Sequence, residues 1–230
     1  MLALLSAMAE EAGAILAAIE APVAIERAKR TFVRGLLDGE PVIAGFSRWG
    51  KTAAATTAAI ACGELGATSV LFTGVAGAIA PGIAQGDLVL ASHVAYHDLD
   101  ARPLFARGEI PLLGVDRIAA DATLLARLER AAATDLGLGR THVGLVATGD
   151  QFISDPARAA AIREALPGAL CVEMEGAAIA QVCFEHGVPF ALARIISDDA
   201  SHAAPQDFLT FLHARAAPGG LALVRAFLRA

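Results

Sequence analysis

Apolar residues along this 230-residue chain fall into two kinds of run. Some are short, nearly continuous and rich in Leu, Val and Ile; others are longer and recur at helical spacing. Their alternation predicts an α/β layer fold. "LALLSA" near the start reads as a first strand, followed by a helix from about Glu10 to Ile19. "RTFVRGLLDGEPVIAGFS" reads as two strands around the turn "LDGEP", and an alanine-rich helix follows Gly50. "TSVLFTG" reads as a buried strand that ends in the glycine-rich loop "TGVAGAIAPGIAQGD" and leads into a strand "LVLASHVAYHD". From Leu99 to Gly114 the pattern is irregular, and long loops of this kind are often functional. Beyond it come a helix around Asp116 to Thr134, a strand "HVGLVATG", a helix from Asp155 to Ala165 and a strand "GALCVEM". A helix beginning near Glu175, a strand "PFALARIIS" and helical turns from Pro205 complete the chain, with "APGG" at Ala217 expected to interrupt the last helix.

In open α/β sheets ligands gather at the carboxyl ends of strands. Five such ends are chemically rich: Ser6 to Glu11, Thr73 to Gly77, Thr148 to Ile153, Glu173 to Glu175 and Arg194 to Asp198. The central expectation is that they converge on one pocket.

Composition narrows the choice of ligand. The chain is 56% hydrophobic and 18% charged, which excludes disorder and predicts a single domain over residues 1–230. Its net charge of -6, without a Lys/Arg run, argues against a nucleic-acid partner. The apolar start meets Glu10 and Glu11 too soon for a secretory signal, and no run is long enough to span a membrane, so a cytoplasmic protein with a small-molecule partner is expected. Cys62, Cys171 and Cys183 lack zinc or redox spacing and read as small buried hydrophobes.

Each candidate motif has a plainer reading beside the chemical one. Glu10 suits a helix N-terminus, where the dipole favours acids; Glu11 stays open. "GVAGAIAPG" matches neither phosphate-binding fingerprint, and marks a turn or a close backbone approach. His93 and His97, beside Asp98 and Asp100, would lie about 13 Å apart on a strand, too far for one metal, so no metal is expected. Phe152 reads first as a core aromatic, and Ser197 or Asp198 as the cap of a turn. The pair Glu173 and Glu175 is harder to dismiss, because burying an unpartnered carboxylate costs several kcal/mol or forces it to take up a proton. Carboxylates, an aromatic and a Ser-Asp pair at strand ends suit cleavage of a glycosidic bond through an oxocarbenium-like transition state.

"SAMAEE", "TGVAGAIAPGIAQGDLV", "YHDLD", "ATGDQFIS", "VEMEGAAIAQVC" and "PFALARIISDDAS" occur in an order and spacing that resembles the methylthioadenosine/S-adenosylhomocysteine nucleosidases of the nucleoside phosphorylase superfamily. The resemblance runs over nearly the whole chain. It implies a three-layer α/β/α sandwich with a mixed central sheet, a homodimer, no cofactor, and hydrolysis of an adenine nucleoside. It also implies roles: Glu11 as base, next to Met8; Asp198 as acid toward the purine N7, held by Ser197; and Glu175 on the ribose hydroxyls with Met174 against the sugar. Phe152 would stack on adenine, the backbone of Phe152 and Ile153 would read its edge, and Arg194 would help order the water. The irregular loop would close the neighbouring subunit's pocket, with Leu104, Phe105 and Pro111 as candidates.

Two positions depart from the family pattern. Trp49, preceded by Arg48, stands where a small apolar residue is usual, and Val75 where a serine is common. Trp49 walling the 5'-pocket would restrict the tail that fits. Alternatives are a superfamily phosphorylase, a nucleosidase for futalosine or 5'-deoxyadenosine, and a non-catalytic nucleoside-binding module. Glu11, Phe72 and Val75 at the positions of a phosphate site disfavour the phosphorylase.

Overall fold

The structure is a computed structural model that describes residues 1–200, 211 and 215–230. Its elements in chain order are β1 (Leu2–Ser6), α1 (Ala9–Ala17), β2 (Glu20–Arg27), β3 (Arg30–Leu37), β4 (Glu40–Phe46), α2 (Lys51–Gly63), β5 (Ser69–Ala78), β6 (Leu88–Tyr96), β7 (Ile118–Ala119) and α3 (Ala122–Ala132). They continue with β8 (Thr141–Thr148), α4 (Pro156–Ala165), β9 (Ala169–Glu173), α5 (Gly176–His186), β10 (Phe190–Asp198) and α6 (Ala217–Arg229).

The strands form one mixed sheet ordered β10-β6-β8-β9-β5-β1-β4-β3-β2, with β7 attached to β6. Strand β1 runs parallel to both β4 and β5. The sheet also folds back on itself, because β10 pairs with β5 as well as with β6. That closure sets the ends of β5 and β10 side by side, although β6, β8 and β9 lie between them in the strand order. Helices α1 and α3 each pack against α6, and α2 pairs with α5. Among the described residues no helix is long and apolar enough to cross a membrane.

Four details differ from the expected elements. Strand β2 is additional: it is an edge strand that is almost wholly exposed and contains Pro22, so it carries little apolar alternation. The "GVAGA" stretch, expected as loop, is the second half of β5. Helix α3 starts only after Asp121, whose side chain accepts the N–H groups of Thr123 and Leu124, and β7 occupies part of the expected helix. "APGG" opens α6 instead of interrupting a helix, with Pro218 in the first turn where its missing N–H costs nothing. The helical turns expected from Pro205 lie largely outside the described residues. Of the cysteines, Cys171 and Cys183 are buried as expected, but Cys62 is only partly so, and its thiol meets that of Cys183 between α2 and α5.

Candidate active site

All five chemically rich strand ends line a single cleft, the place where ligands gather in α/β sheets. Glu11 is the third residue of α1, and its carboxylate turns back over the helix start. One oxygen accepts the N–H groups of Ala7 (2.9 Å) and Met8 (3.0 Å), and the other accepts that of Val75 (3.0 Å). Burial pushes its pKa up, opposed by the charge of Arg194 and by these three donors.

Asp198 ends β10 just past a bulge, where an extra residue breaks the β10–β5 register between Ile196 and Asp198. Bulges of this kind re-aim a side chain. The Ser197 hydroxyl donates to one Asp198 oxygen (2.7 Å), and the N–H of Ala200 donates to the other (2.8 Å).

These two carboxylates explain the glycines of β5. A Cβ on Gly74 would sit 2.7 Å from a Glu11 oxygen, and one on Gly77 would sit 2.9 Å from an Asp198 oxygen. The motif is therefore a strand stripped of side chains where two acids cross it, in line with the close-approach reading.

Strand β9 and helix α5 separate the other two acids. Glu173 is saturated: it takes Nη2 of Arg194 (2.6 Å), the hydroxyl of Thr148, and the N–H groups of Glu175 and Gly176 at the start of α5. These partners give it a structural role. Glu175 is also buried, but its carboxylate receives only the N–H of Gly50 (2.7 Å) among the hydrogen bonds to described residues. Burial and the neighbouring Glu173 push its pKa up to about 8, against the Gly50 N–H and Arg194. Met174 lines the cleft between them.

Arg194 does not line the cleft. It is fully buried, bound to Glu173 and stacked at 4.0 Å over the ring of Phe72, and it reaches Glu11 only through its charge. The core reading of Phe152 fails: the ring is 42% exposed and lines the cleft, beside the buried Ile153. Met8, Trp49, Val75 and Ser197 line it too, Trp49 with 53% of its surface exposed at the mouth. Phe105 and Pro111 are half-buried on the irregular loop and do not line this chain's own cleft. His93 bonds Ser92, while Asp98 binds Lys51 and Asp100 binds Arg102.

Residue-by-residue reading overlooked Gly50, Lys51 and Asp150, which tie the cleft's rim together. A signal was present in "SRWGK", where a glycine precedes a helix: Gly50 has φ 92°, a conformation that favours glycine.

The profile of the Phosphorylase superfamily matches residues 1–229. The 5'-methylthioadenosine/S-adenosylhomocysteine nucleosidase of Shewanella frigidimarina is 36% identical over 211 residues, covering 91% of this chain and 90% of the relative. This chain belongs to the methylthioadenosine/S-adenosylhomocysteine nucleosidase family. The Neisseria meningitidis nucleosidase, solved with methylthio-immucillin-A, superposes with a TM-score of 0.94 at 33% identity, over 99% of this chain and 98% of that one. A Helicobacter pylori futalosine hydrolase mutant superposes with a TM-score of 0.92 at 28% identity, over 99% and 98%. The nucleosidase family's mixed sheet with flanking helices is thus the fold seen here.

Proposed function

We propose that this protein hydrolyses the N-glycosidic bond of 5'-methylthioadenosine or S-adenosylhomocysteine, releasing adenine and the thioribose. The observation that carries this reading is the acidic lining of the cleft: Glu11, Glu173, Glu175 and Asp198 line it, and among the described residues no lysine or arginine does. An anion such as phosphate finds no cationic partner there, whereas an oxocarbenium-like centre and a neutral water are favoured.

Glu11 takes a proton from water as its oxygen bonds to C1' and the C1'–N9 bond breaks. The electron pair passes into the purine, and Asp198 delivers a proton to N7, so that adenine leaves neutral. Glu175 holds the ribose hydroxyls with Met174 against the sugar, and Phe152 stacks on the base with Ile153 beside it. Arg194 acts on the water indirectly, through the charge it sets beside Glu11. Trp49 and Val75 shape the sugar side. The assembly is a homodimer in which the loop carrying Phe105 and Pro111 covers the neighbour's 5'-pocket; the 84% and 91% exposure of Leu104 and Leu112 on that loop supports this.

Incubation with methylthioadenosine, S-adenosylhomocysteine, 5'-deoxyadenosine and futalosine, with and without phosphate, tests the reaction. Release of the free purine base independent of phosphate is expected; release that requires phosphate, with sugar 1-phosphate as product, overturns hydrolysis. Preference for futalosine would favour the second reading, which the likeness to the Helicobacter pylori futalosine hydrolase supports.

The elevated Glu175 pKa has a measurable sign. Between the ordinary glutamate value of 4.5 and about 8 the folded protein holds a proton on Glu175 that the unfolded chain does not, so this group's contribution to stability falls as pH rises through that window. Ribose hydroxyls donate to the ionised form and lower the pKa, so analogue binding at about pH 7 should release protons. Calorimetry in two buffers of different ionisation enthalpy measures that release, and a Glu175→Gln variant should release markedly fewer. Equal release from both proteins would remove Glu175 as the source.

A further inference from the structure

The loops after β4, β6 and β8 meet in a closed ring of three charged residues at the cleft's rim. The ammonium of Lys51 bonds both oxygens of Asp98 at 2.7 Å and lies 3.8 Å from Asp150. The backbone N–H of Lys51 donates to Asp150 (2.7 Å), and that of Asp150 donates to Asp98 (2.9 Å). The residue beside this ring is Gly50, whose N–H is on Glu175.

Glycine by itself holds no conformation at φ 92°, because without a Cβ it visits many others at similar cost. Something external has to aim its N–H. Immediately after Gly50 both the backbone N–H and the side chain of Lys51 are tied down, and a Cβ on Gly50 would sit 3.0 Å from Asp150, so the ring also fills the adjacent space. Without the ammonium, Asp98 and Asp150 become two unneutralised acids sharing one hydrogen bond, and like-charge repulsion drives the loops apart. Asp98 is only 16% exposed while Asp150 is 49% exposed, so water screens that repulsion in part.

We propose that Lys51 is a positioning residue: clamped by Asp98 and Asp150, it holds the Gly50 N–H on Glu175 and so sets the carboxylate that grips the sugar. The proposal rests on the reading of Glu175 as the ribose clamp. The groups acting electrostatically on Glu175 are Glu173 and Glu11, which favour its protonation, and Arg194, which opposes it with the Gly50 N–H. Loss of that N–H therefore moves the ionisation of Glu175 to higher pH.

The test is a kinetic cycle of Lys51→Met, Glu175→Gln and the double variant on methylthioadenosine, with melting temperatures alongside. Lys51→Met should raise KM about tenfold, the effect of losing one hydrogen bond to a charged acceptor, with a smaller change in kcat, and should shift the acid limb of kcat/KM to higher pH. In the Glu175→Gln background the same substitution should cost less than about twofold, because coupled residues are not additive. Asp98→Asn keeps the side chain's size while weakening the clamp from its other side, and should show the same non-additivity if Lys51→Met does not fold. Independent, multiplying effects, or a lower melting temperature with unchanged KM and pH profile, overturn the proposal. A Glu175→Gln enzyme with unchanged KM would instead remove the sugar reading of Glu175, and the role of Lys51 with it.

Discussion

A Glu11→Gln variant should bind a non-hydrolysable nucleoside analogue yet release adenine about a hundredfold to ten-thousandfold more slowly, the usual contribution of a positioned general base. Burial has already moved the Glu11 pKa upward, toward the range in which a base works well near neutrality. The glutamine amide keeps the shape of the side chain but cannot accept the proton of water. It also disturbs the site in a way that can be measured. The three donors on Glu11 are backbone N–H groups of Ala7, Met8 and Val75, and none can rotate to become an acceptor. If the amide oxygen takes the Ala7 and Met8 donors, its NH2 faces Val75, leaving a buried donor unmatched at a cost of about 1–3 kcal/mol. For a chain of this size that is a melting point lower by about 2–4 °C per kcal/mol. Single-turnover adenine release, analogue affinity and thermal melting together check the prediction; wild-type turnover would end the assignment of the base.

Asp198→Asn should lower kcat by a similar factor with a milder loss of stability. Its amide can still hydrogen-bond to N7 but cannot deliver a proton. The Ser197 hydroxyl, unlike a backbone N–H, can turn to accept from the new NH2 group, with the carbonyl of Ala76 at 3.3 Å as another partner for its proton. A discriminating readout is the leaving group. A nucleoside methylated at N7 departs as a neutral base without protonation, so the variant should cleave it at close to the wild-type rate. An equally large defect on that compound would mean that Asp198 orients the base instead of protonating it.

The cleft was partly legible because strand ends are recognisable as places where an apolar run meets Glu, Asp or Ser. The family resemblance carried the assignment of Glu11 and Asp198 further than spacing alone. "GVAGA" shows the limit. It was readable as a close approach of backbone to something, but what approaches are two acids from elements distant in sequence, and only the β5–β10 register and the turn of α1 bring them there. Phe152 shows the same limit from the other side, since an aromatic after a strand has one sequence signature whether it enters the core or a cleft.

The paired glutamates of "VEMEG" divide along this line. Strand periodicity alone would put Glu173 and Glu175, two residues apart, on one face, but β9 ends at Glu173 and α5 begins at Gly176, so the alternation stops between them. What each carboxylate does was decided by partners remote in the chain: Arg194 and Thr148 saturate Glu173, while Glu175 receives the N–H of Gly50 from across the cleft. Hydrophobic patterning, helix starts and turn residues are local physics, and the sequence by itself determined the alternating α/β order and the candidate acids. Which acids are neutralised, which keep a raised pKa and which share a cleft depends on distances between segments, so only the tertiary structure decided them.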